Sequence, residues 1–522
     1  MGFQVSPGVA WSEIDLTSIV PATSTTEGAI AGVFQWGPTN ERTLITSEAE
    51  LVQRFGKPKT GYNIETFYTA ADFLSYSDAL WVTRVTDGNT AIADTANSIN
   101  GLTAAYPGTL GNSLEIWVVG QSGYATTNTG IEDVTDRQPT TASQIHLAVV
   151  DSTGNISGTA NTVLEVWQDI DTSDGATTED GTNNYIIDVL NDRSRYVNIT
   201  AGSDVSAWNL LDYSEVLDGG DDGSDENTIA VGTVQAGYDE YDSADNVDIS
   251  LILSGVARSA AHVNYLIDSI AEVRKDCLVF ISPEKADVVD NAGSEATDAI
   301  AFRNSLSSSS YAVMDSGYKY RYDKYNDKYV WTPLNGDVAG CCVRTDDTRD
   351  PWWSPAGYQR GRIKNVVKLA WNPNKANRDL LYKADINPVV LESGRGTVLF
   401  GDKTLLGRPS AFDRINVRRL FIVLEKSISR AAKDMLFEFN DEFTRAQFVN
   451  LVEPFLRDVQ GRRGIYDFRV VCDETNNTAE IIDRNEFVGD IYVKPARSIN
   501  FIQLNFVAVR TGVEFEEIVG RF

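Results

Sequence analysis

Two stretches of the chain have spacings that suggest ligand chemistry. Gly396-Thr-Val-Leu-Phe-Gly401-Asp402-Lys403-Thr404 approximates a phosphate-binding loop. Such loops place Gly, four residues and then Gly-Lys-Ser/Thr so that backbone amides and one ammonium converge on a phosphate. Here Asp402 stands between Gly401 and Lys403, where its carboxylate would repel the anion. Asp218-Gly-Gly-Asp-Asp222-Gly223 approximates the start of an EF-hand. Its twelfth position, which should supply a bidentate Glu, is Ile229, and no flanking helices are signalled. A solvated acidic loop is the better account.

The remaining reactive residues do not converge. The two histidines, His146 and His262, have no partner at metal-ligand spacing, and His262 falls within a helical pattern as a packing or surface residue. Cys277, Cys341, Cys342 and Cys472 are irregularly spaced, which in a large chain reads as reduced thiols. The adjacent pair lacks the CxxC geometry of a zinc or redox site. No GxSxG or HExxH occurs. Trp352-Trp353 could stack on a sugar, but core or interface packing is the commoner use of such a pair. No catalytic residue, cofactor site or metal site is assigned, and a non-enzymatic protein is expected.

The totals narrow the class. A chain of 522 residues with 42% hydrophobic and 23% charged residues can bury several cores. No run approaches the roughly 18 apolar residues of a membrane span, so no membrane insertion is expected. The opening MGFQVSPGVAW has no basic n-region or long apolar stretch, so no secretory leader is expected. A net charge of −29 disfavours direct nucleic-acid binding. That charge is uneven. Residues 90–250 hold 27 acids against three basic residues, Arg137, Arg193 and Arg195, whereas 360–470 hold 21 basic residues against 13 acids.

The elements needed to hold any site follow from periodicity and turn signals. Residues 1–20 read as an extended arm with Val9, Trp11, Ile14 and Leu16 on a weak strand pattern. Gly28–Trp36 reads as a buried strand. Ser47, with Glu50 three residues on, reads as the capping box of a short helix stopped by Gly56. A helix over 63–77 and a strand over 80–85 complete this block. From 90 to 246 short strands recur (114–119, 145–150, 162–168, 196–200), with one short helix at 185–191 and an acidic return loop over 217–246. From 247 the pattern is strand, helix (256–274), strand (277–282), then helix (298–306) and strand (311–315), as in parallel βαβ units. Residues 318–332 read as a hairpin. Asn416 opens the most regular helix, with Arg418, Arg419, Lys426, Arg430 and Lys433 beside its apolar stripe. A second helix, 444–460, contains Pro454, which should kink or break it. Strands are expected at 465–472, 479–482 and 488–493. The last strand, 499–510, alternates strictly: Ile502, Leu504, Phe506 and Ala508 face one way, Phe501 the other. A terminal strand this apolar must complete its own sheet or pair with another chain's.

The fold class expected is multidomain α+β and α/β. A discontinuous core of mixed α/β domains carries an inserted β-rich domain and extended arms at both ends. The boundaries are 1–20 (N-terminal arm), 21–89 (first part of the core), 90–246 (inserted acidic domain), 247–350 (α/β domain), 351–496 (C-terminal α+β domain) and 497–522 (C-terminal strand arm).

Six stretches together resemble the tail sheath proteins of contractile-tailed bacteriophages. They are SPGV at 6–9, GVFQWGP at 32–38, WSPAGYQRGRIKN at 353–365, INPVV at 386–390, AFDRINVRRLFIVLEKSI at 411–428 and KPARSINFIQLNFVA at 494–508. The resemblance covers roughly 1–90 and 245–522. It implies a subunit that forms hexameric rings stacked as a helix around a tail tube in the virion, assembled in the host cytoplasm. It implies contraction that drives the tube through the host envelope. Implied partners are other copies of the chain, the tail tube protein, and baseplate and tail terminator proteins. The arms would exchange strands between subunits, the domain 351–496 would face the tube, and 90–246 would lie outside. Arg418, Arg419, Arg430, Arg462 and Arg463 are the candidate cations for ion pairs with the tube or a neighbour. The sheath of a phage-derived bacteriocin or contractile injection system is the alternative with the same mechanics. An enzyme on the α/β segment is the alternative from another class.

Overall fold

The computed structural model describes residues 24–95, 101–124, 130–256 and 258–500. The arm residues Val9, Trp11, Ile14 and Leu16, and Phe501, Ile502, Leu504, Phe506 and Ala508, lie outside the described residues.

A seven-stranded sheet organises the core. Its strands are β1 (Gly28–Gly32), β2 (Arg42–Ile45), β3 (Leu80–Arg84), β4 (Leu251–Leu253), β5 (Leu278–Ile281), β6 (Ala312–Asp315) and β7 (Ile386–Asn387), in the order β7-β6-β5-β4-β1-β3-β2. All neighbours are parallel except β2 against β3. Parallel sheets are covered on both faces, so their strands are apolar throughout. β1, GAIAG, is buried at every residue, as is β5, LVFI. The sheet joins 24–85 to residues beyond 246, so the two halves of the core fold as one sheet.

Helix α1 (Glu48–Phe55) starts as the capping signal predicts. Ser47 accepts the Glu50 N–H, the Glu50 carboxylate reaches back to Thr46, and Gly56 ends the helix at φ 80°. Helix α2 (Ile64–Leu74) is buried along its whole length. It packs on the sheet beside α3 (Asn335–Thr348), a helix with no counterpart in the sequence reading of 335–350. Gly336 and Gly340 of α3 sit so close to α2 that a Cβ at either would collide with the Thr69 backbone or the Tyr76 ring. Small residues thus let two backbones approach, at a cost in helix propensity of about 1 kcal/mol per glycine.

A charge cluster is sealed inside this contact. The Lys319 ammonium, fully buried, lies 2.9 Å from Asp72 of α2 and 2.7 Å from Asp337 of α3. Arg321 pairs with Asp72 and stacks 3.9 Å from the centre of the Tyr68 ring.

Residues 101–217 form a second core around a four-stranded antiparallel sheet. Its order is Thr162–Asp171, Gln144–Asp151, Leu114–Gly120, Asp212–Val216, with the helix Ile186–Arg193 packed on it. The stretch 217–246 differs from the return loop that the sequence suggests. It contains the helix Val231–Asp239, whose Val234 and Tyr238, with Tyr241 beyond, join the main core. Tyr238 donates to the Leu253 carbonyl at 2.5 Å, and the Tyr241 and Thr83 hydroxyls lie 2.7 Å apart. Its acidic composition hid a few large apolar anchors.

Glu226, on the same stretch, caps α2. Its carboxylate accepts the N–H groups of Glu65 at 2.9 Å and Thr66 at 2.8 Å. Burial, and then the neighbouring Glu65 carboxylate, push it up to about 7. Its folded pKa therefore exceeds the ordinary glutamate value of 4.5, so between the two values the folded chain holds a proton the unfolded chain has released. The sign follows: this group's contribution to stability falls as pH rises from about 4.5 to 7. Glu226→Gln is neutral at every pH. Its melting temperature relative to the parent is expected to rise between pH 5 and 8, read by circular dichroism; a pH-independent difference would refute the assignment.

The C-terminal region pairs α4 (Ile415–Ala432) and α5 (Glu442–Gly461) with β8 (Ile465–Val471) and β9 (Asp490–Pro495) around its own apolar cluster. α5 runs through Pro454 without a break. The strand expected at 479–482 is instead the short helix Ala479–Asp483. Four apolar-rich residues between turns do not fix a period. The loop is organised by Asn477, which exchanges hydrogen bonds of 2.8 and 2.9 Å with the backbone of Val488.

Candidate functional site

The unfinished part of the fold is the sheet of β8 and β9. The strands pair antiparallel from Ile465–Pro495 to Val471–Asp490, and among the described residues neither has a second strand partner. One face, with Phe468, Val470, Ile491 and Val493, packs on the C-terminal cluster. The other shows Tyr466, Arg469 and Tyr492 to solvent, and a Lys494–Asp467 cross-strand ion pair of 3.0 Å. A two-stranded sheet is marginal alone and gains stability from added strands. Its open edges present unpaired N–H and C=O groups, which template a further strand.

Beside the Ile465–Pro495 end lies a groove of about 960 Å³. Trp353, Phe400, Tyr466 and Ile499 supply its apolar lining, and Lys375 and Arg378 are among its cations. Trp352 is buried in the C-terminal core and donates to the Arg462 carbonyl at 3.2 Å. Trp353 is half-buried, with the guanidinium groups of Arg349, Arg360 and Arg463 each about 5.5 Å or less from its ring centre. Both tryptophans line the groove, Trp352 from within the C-terminal core and Trp353 half-exposed against it.

Asp402 anchors the segment that leaves this sheet. Its buried carboxylate pairs with Arg414 at 3.0 Å and accepts from Ser354 at 3.0 Å and from Ser498 at 2.7 Å. Its carbonyl accepts the Ile415 N–H at the start of α4 at 2.8 Å. Asn500 donates to the Tyr382 hydroxyl at 3.0 Å. The acid that spoils the phosphate-loop pattern thus fixes the path of the chain out of β9. No sequence signal marks this role, because all its partners are remote in sequence.

Four of the five candidate arginines, Arg418, Arg419, Arg430 and Arg462, are in ion pairs within the chain. Arg419 is buried and holds Asp346 through two bonds of 2.5 and 2.8 Å. Arg418 is buried, reaches Glu425 at 3.1 Å and stacks 4.4 Å from the Tyr311 ring centre. Arg430 pairs with Asp248 at 2.8 Å, and Lys426 with the same carboxylate at 2.7 Å. The basic face of α4 thereby binds its own core. A buried charge needs a partner, and acids from distant segments supply it. Arg462 pairs with Asp350 yet is half-exposed, and Arg463 is exposed.

The remaining chemical candidates have structural roles. Gly396–Leu399 is one strand of a hairpin with Val389–Glu392. Asp222 is a buried partner of Lys59 at 2.6 Å. His146 accepts the Asp169 N–H at Nδ1 and so donates from Nε2 to the Arg137 carbonyl at 2.7 Å. His262 is buried, and desolvation, then Arg258, push it down to about 4, so it is neutral near pH 7. The four cysteines are buried and unbridged. Among the described residues no cluster could hold a metal, and no helix is long and apolar enough to cross a membrane.

Family models match most of the chain. The phage tail sheath C-terminal domain matches residues 408–508, the phage tail sheath central domain 239–405, and the domain III N-terminal region of tail sheath protein Gp18 28–85. The tail sheath protein of Vibrio phage KVP40 is 35% identical, over 99% of this chain and 100% of its own length. That of Enterobacteria phage T4 is 32% identical, over 99% of each. The helical sheath of the anti-feeding prophage, solved in its contracted state, has the same fold at a TM-score of 0.56 and 12% identity, covering 97% of this chain and 99% of its own.

Proposed function

Because the chain belongs to the phage tail sheath protein family, we propose that it polymerises as hexameric rings in a helical stack around a tail tube, and contracts to drive that tube through a host envelope. The observation that carries this reading is the two-stranded sheet β8–β9, which among the described residues has no third strand, followed in the chain by the alternating apolar sequence 501–508. The arms 1–20 and 497–522 add strands to the sheets of neighbours. Each backbone bond contributes on the order of 1 kcal/mol net. Each buried apolar side chain contributes roughly 1.5–3 kcal/mol. Several of each form a joint that survives rigid-body movement of the subunits, while polar contacts elsewhere break and re-form.

In this reading 351–496 faces the tube, with Arg462 and Arg463 its candidate contacts, and 90–246 lies outside. The further partners are the baseplate and tail terminator proteins, in a particle assembled in the host cytoplasm. The task is mechanical linkage without catalysis or a cofactor.

The purified chain is expected to form hollow tubes in negative stain, and their helical reconstruction to show residues 499–510 paired with an adjacent copy. Protein that stays monomeric across salt and concentration, or a reconstruction with 499–510 folded back only on its own chain, would overturn the proposal.

A further inference from the structure

The loop between α4 and α5 exposes an unusual set of side chains. Leu436, Phe437, Phe439 and Phe443 are 63%, 103%, 83% and 77% exposed. Large apolar residues so placed mark an interaction surface. Phe437 adopts φ 73°, a conformation that bulky side chains rarely take and that surrounding structure must impose. Three residues on, Asn440 anchors the loop by donating to the Glu486 carbonyl at 2.8 Å. The rim is acidic: Asp434, Glu438, Asp441 and Glu442 are exposed, and 434–443 contains no basic residue.

The groove at Trp353 has the opposite character. Its apolar lining is flanked by Lys375, Arg378, Arg463 and Arg497, none of them in an ion pair among the described residues, against one exposed acid, Asp379. The two surfaces lie at opposite ends of one rigid unit. Phe443 sits in the first turn of α5 and Gln460, a groove residue, in its last. Seventeen residues at 1.5 Å per residue separate them by about 26 Å. β8 runs back the same way, from Tyr466 at the groove to the loop end, where Asn440 meets Asn477.

We propose that the acidic phenylalanine loop 434–443 of one copy docks in the basic tryptophan groove of the next, a head-to-tail contact additional to strand exchange. Complementary patches at the two ends of one unit make a heterologous interface, which propagates into rings or helical filaments. Opposite charge at the rims selects the partner and orients it. This proposal rests on the sheath reading and names the surfaces through which successive copies meet.

The test uses the full chain in three forms: the parent, a loop variant (Phe437→Ser with Phe439→Ser) and a groove variant (Lys375→Glu with Arg378→Glu). Both variants alter solvent-facing side chains, so melting temperatures are expected to match the parent. Each variant is expected to raise the concentration needed for tubes at least tenfold, by sedimentation and negative stain. An equimolar mixture of the two retains some intact loop–groove contacts and should form tubes at a concentration between that of the parent and that of either variant alone. A photo-reactive benzoylphenylalanine at 437 should crosslink to 352–400 of another copy. Tubes from the loop variant at the parent's concentration would overturn the docking while leaving the sheath reading intact. So would crosslinks from 437 to the tube protein, or to residues 501–522. Failure of the parent to form tubes would overturn both.

Discussion

Removal of Phe501–Phe522 should abolish tube formation and leave a monomer that melts within a few degrees of the full chain. The cut keeps Ser498 and Asn500, and so preserves the bonds to Asp402 and Tyr382. What it removes is the alternating apolar sequence proposed as the arm. Five apolar residues on the proposed arm, at roughly 1.5–3 kcal/mol each, supply on the order of 10 kcal/mol of gross interaction. Association costs an estimated 4–15 kcal/mol in lost translational and rotational freedom. A term of that size decides whether subunits assemble, so the association constant should fall by more than about 10⁴-fold. Sedimentation velocity reads the outcome. Tubes from the truncated chain at unchanged concentration would show that the C-terminal strand is not the joint.

Lys319→Met should be the most damaging single change inside the core. Lys319 is fully buried and neutralises both Asp72 and Asp337. Removing one partner of a buried ionic cluster costs about 3–5 kcal/mol, because the remaining charge is left in a dry site. Arg321 still pairs with Asp72, but Asp337 keeps only the Tyr76 hydroxyl, at 3.1 Å, as a direct side-chain partner. Burial already raises Asp337 to about 6, with Lys319 opposing the rise. Without Lys319 it should rise further. A carboxyl group with a folded pKa above its unfolded value costs stability as pH rises, so the loss should be larger at pH 8 than at pH 5. Asp337→Asn in the same background should recover part of it. A Lys319→Met loss below 1 kcal/mol in denaturant unfolding, or one independent of pH, would refute this account.

Much of the fold is legible where a local rule acts alone. Ser47 and Glu50 announce α1, the apolar run 28–32 announces a buried parallel strand, and the stripe of Val417, Leu420 and Leu424 announces α4. α3 escapes because Gly336 and Gly340 argue against a helix by propensity. They are there to admit α2, a tertiary reason that no local window contains. The arginines of α4 mislead for a related cause. Arg418 and Arg419 sit beside the apolar stripe and look free, since the acids that pair with Arg419 and Arg430 are Asp346 and Asp248. The groove is equally non-local, gathering Trp353, Arg378, Tyr466 and Ile499 from four separate elements. The exposed phenylalanines were in plain view, but a sequence does not distinguish Phe437 in solvent from Phe448 in the core.

The bond from Ser498 to Asp402 has a mechanical consequence. Among the described residues β9 has one strand partner, so a pull on the chain beyond Asn500 could unzip it from β8 one rung at a time. Asp402 intercepts that pull. It grips the tail through Ser498, Arg414 through an ion pair, and the first amide of α4 through its carbonyl. Load entering at Asn500 is passed to a long helix clamped to the central sheet, as a rope is made fast on a cleat before it reaches the sail.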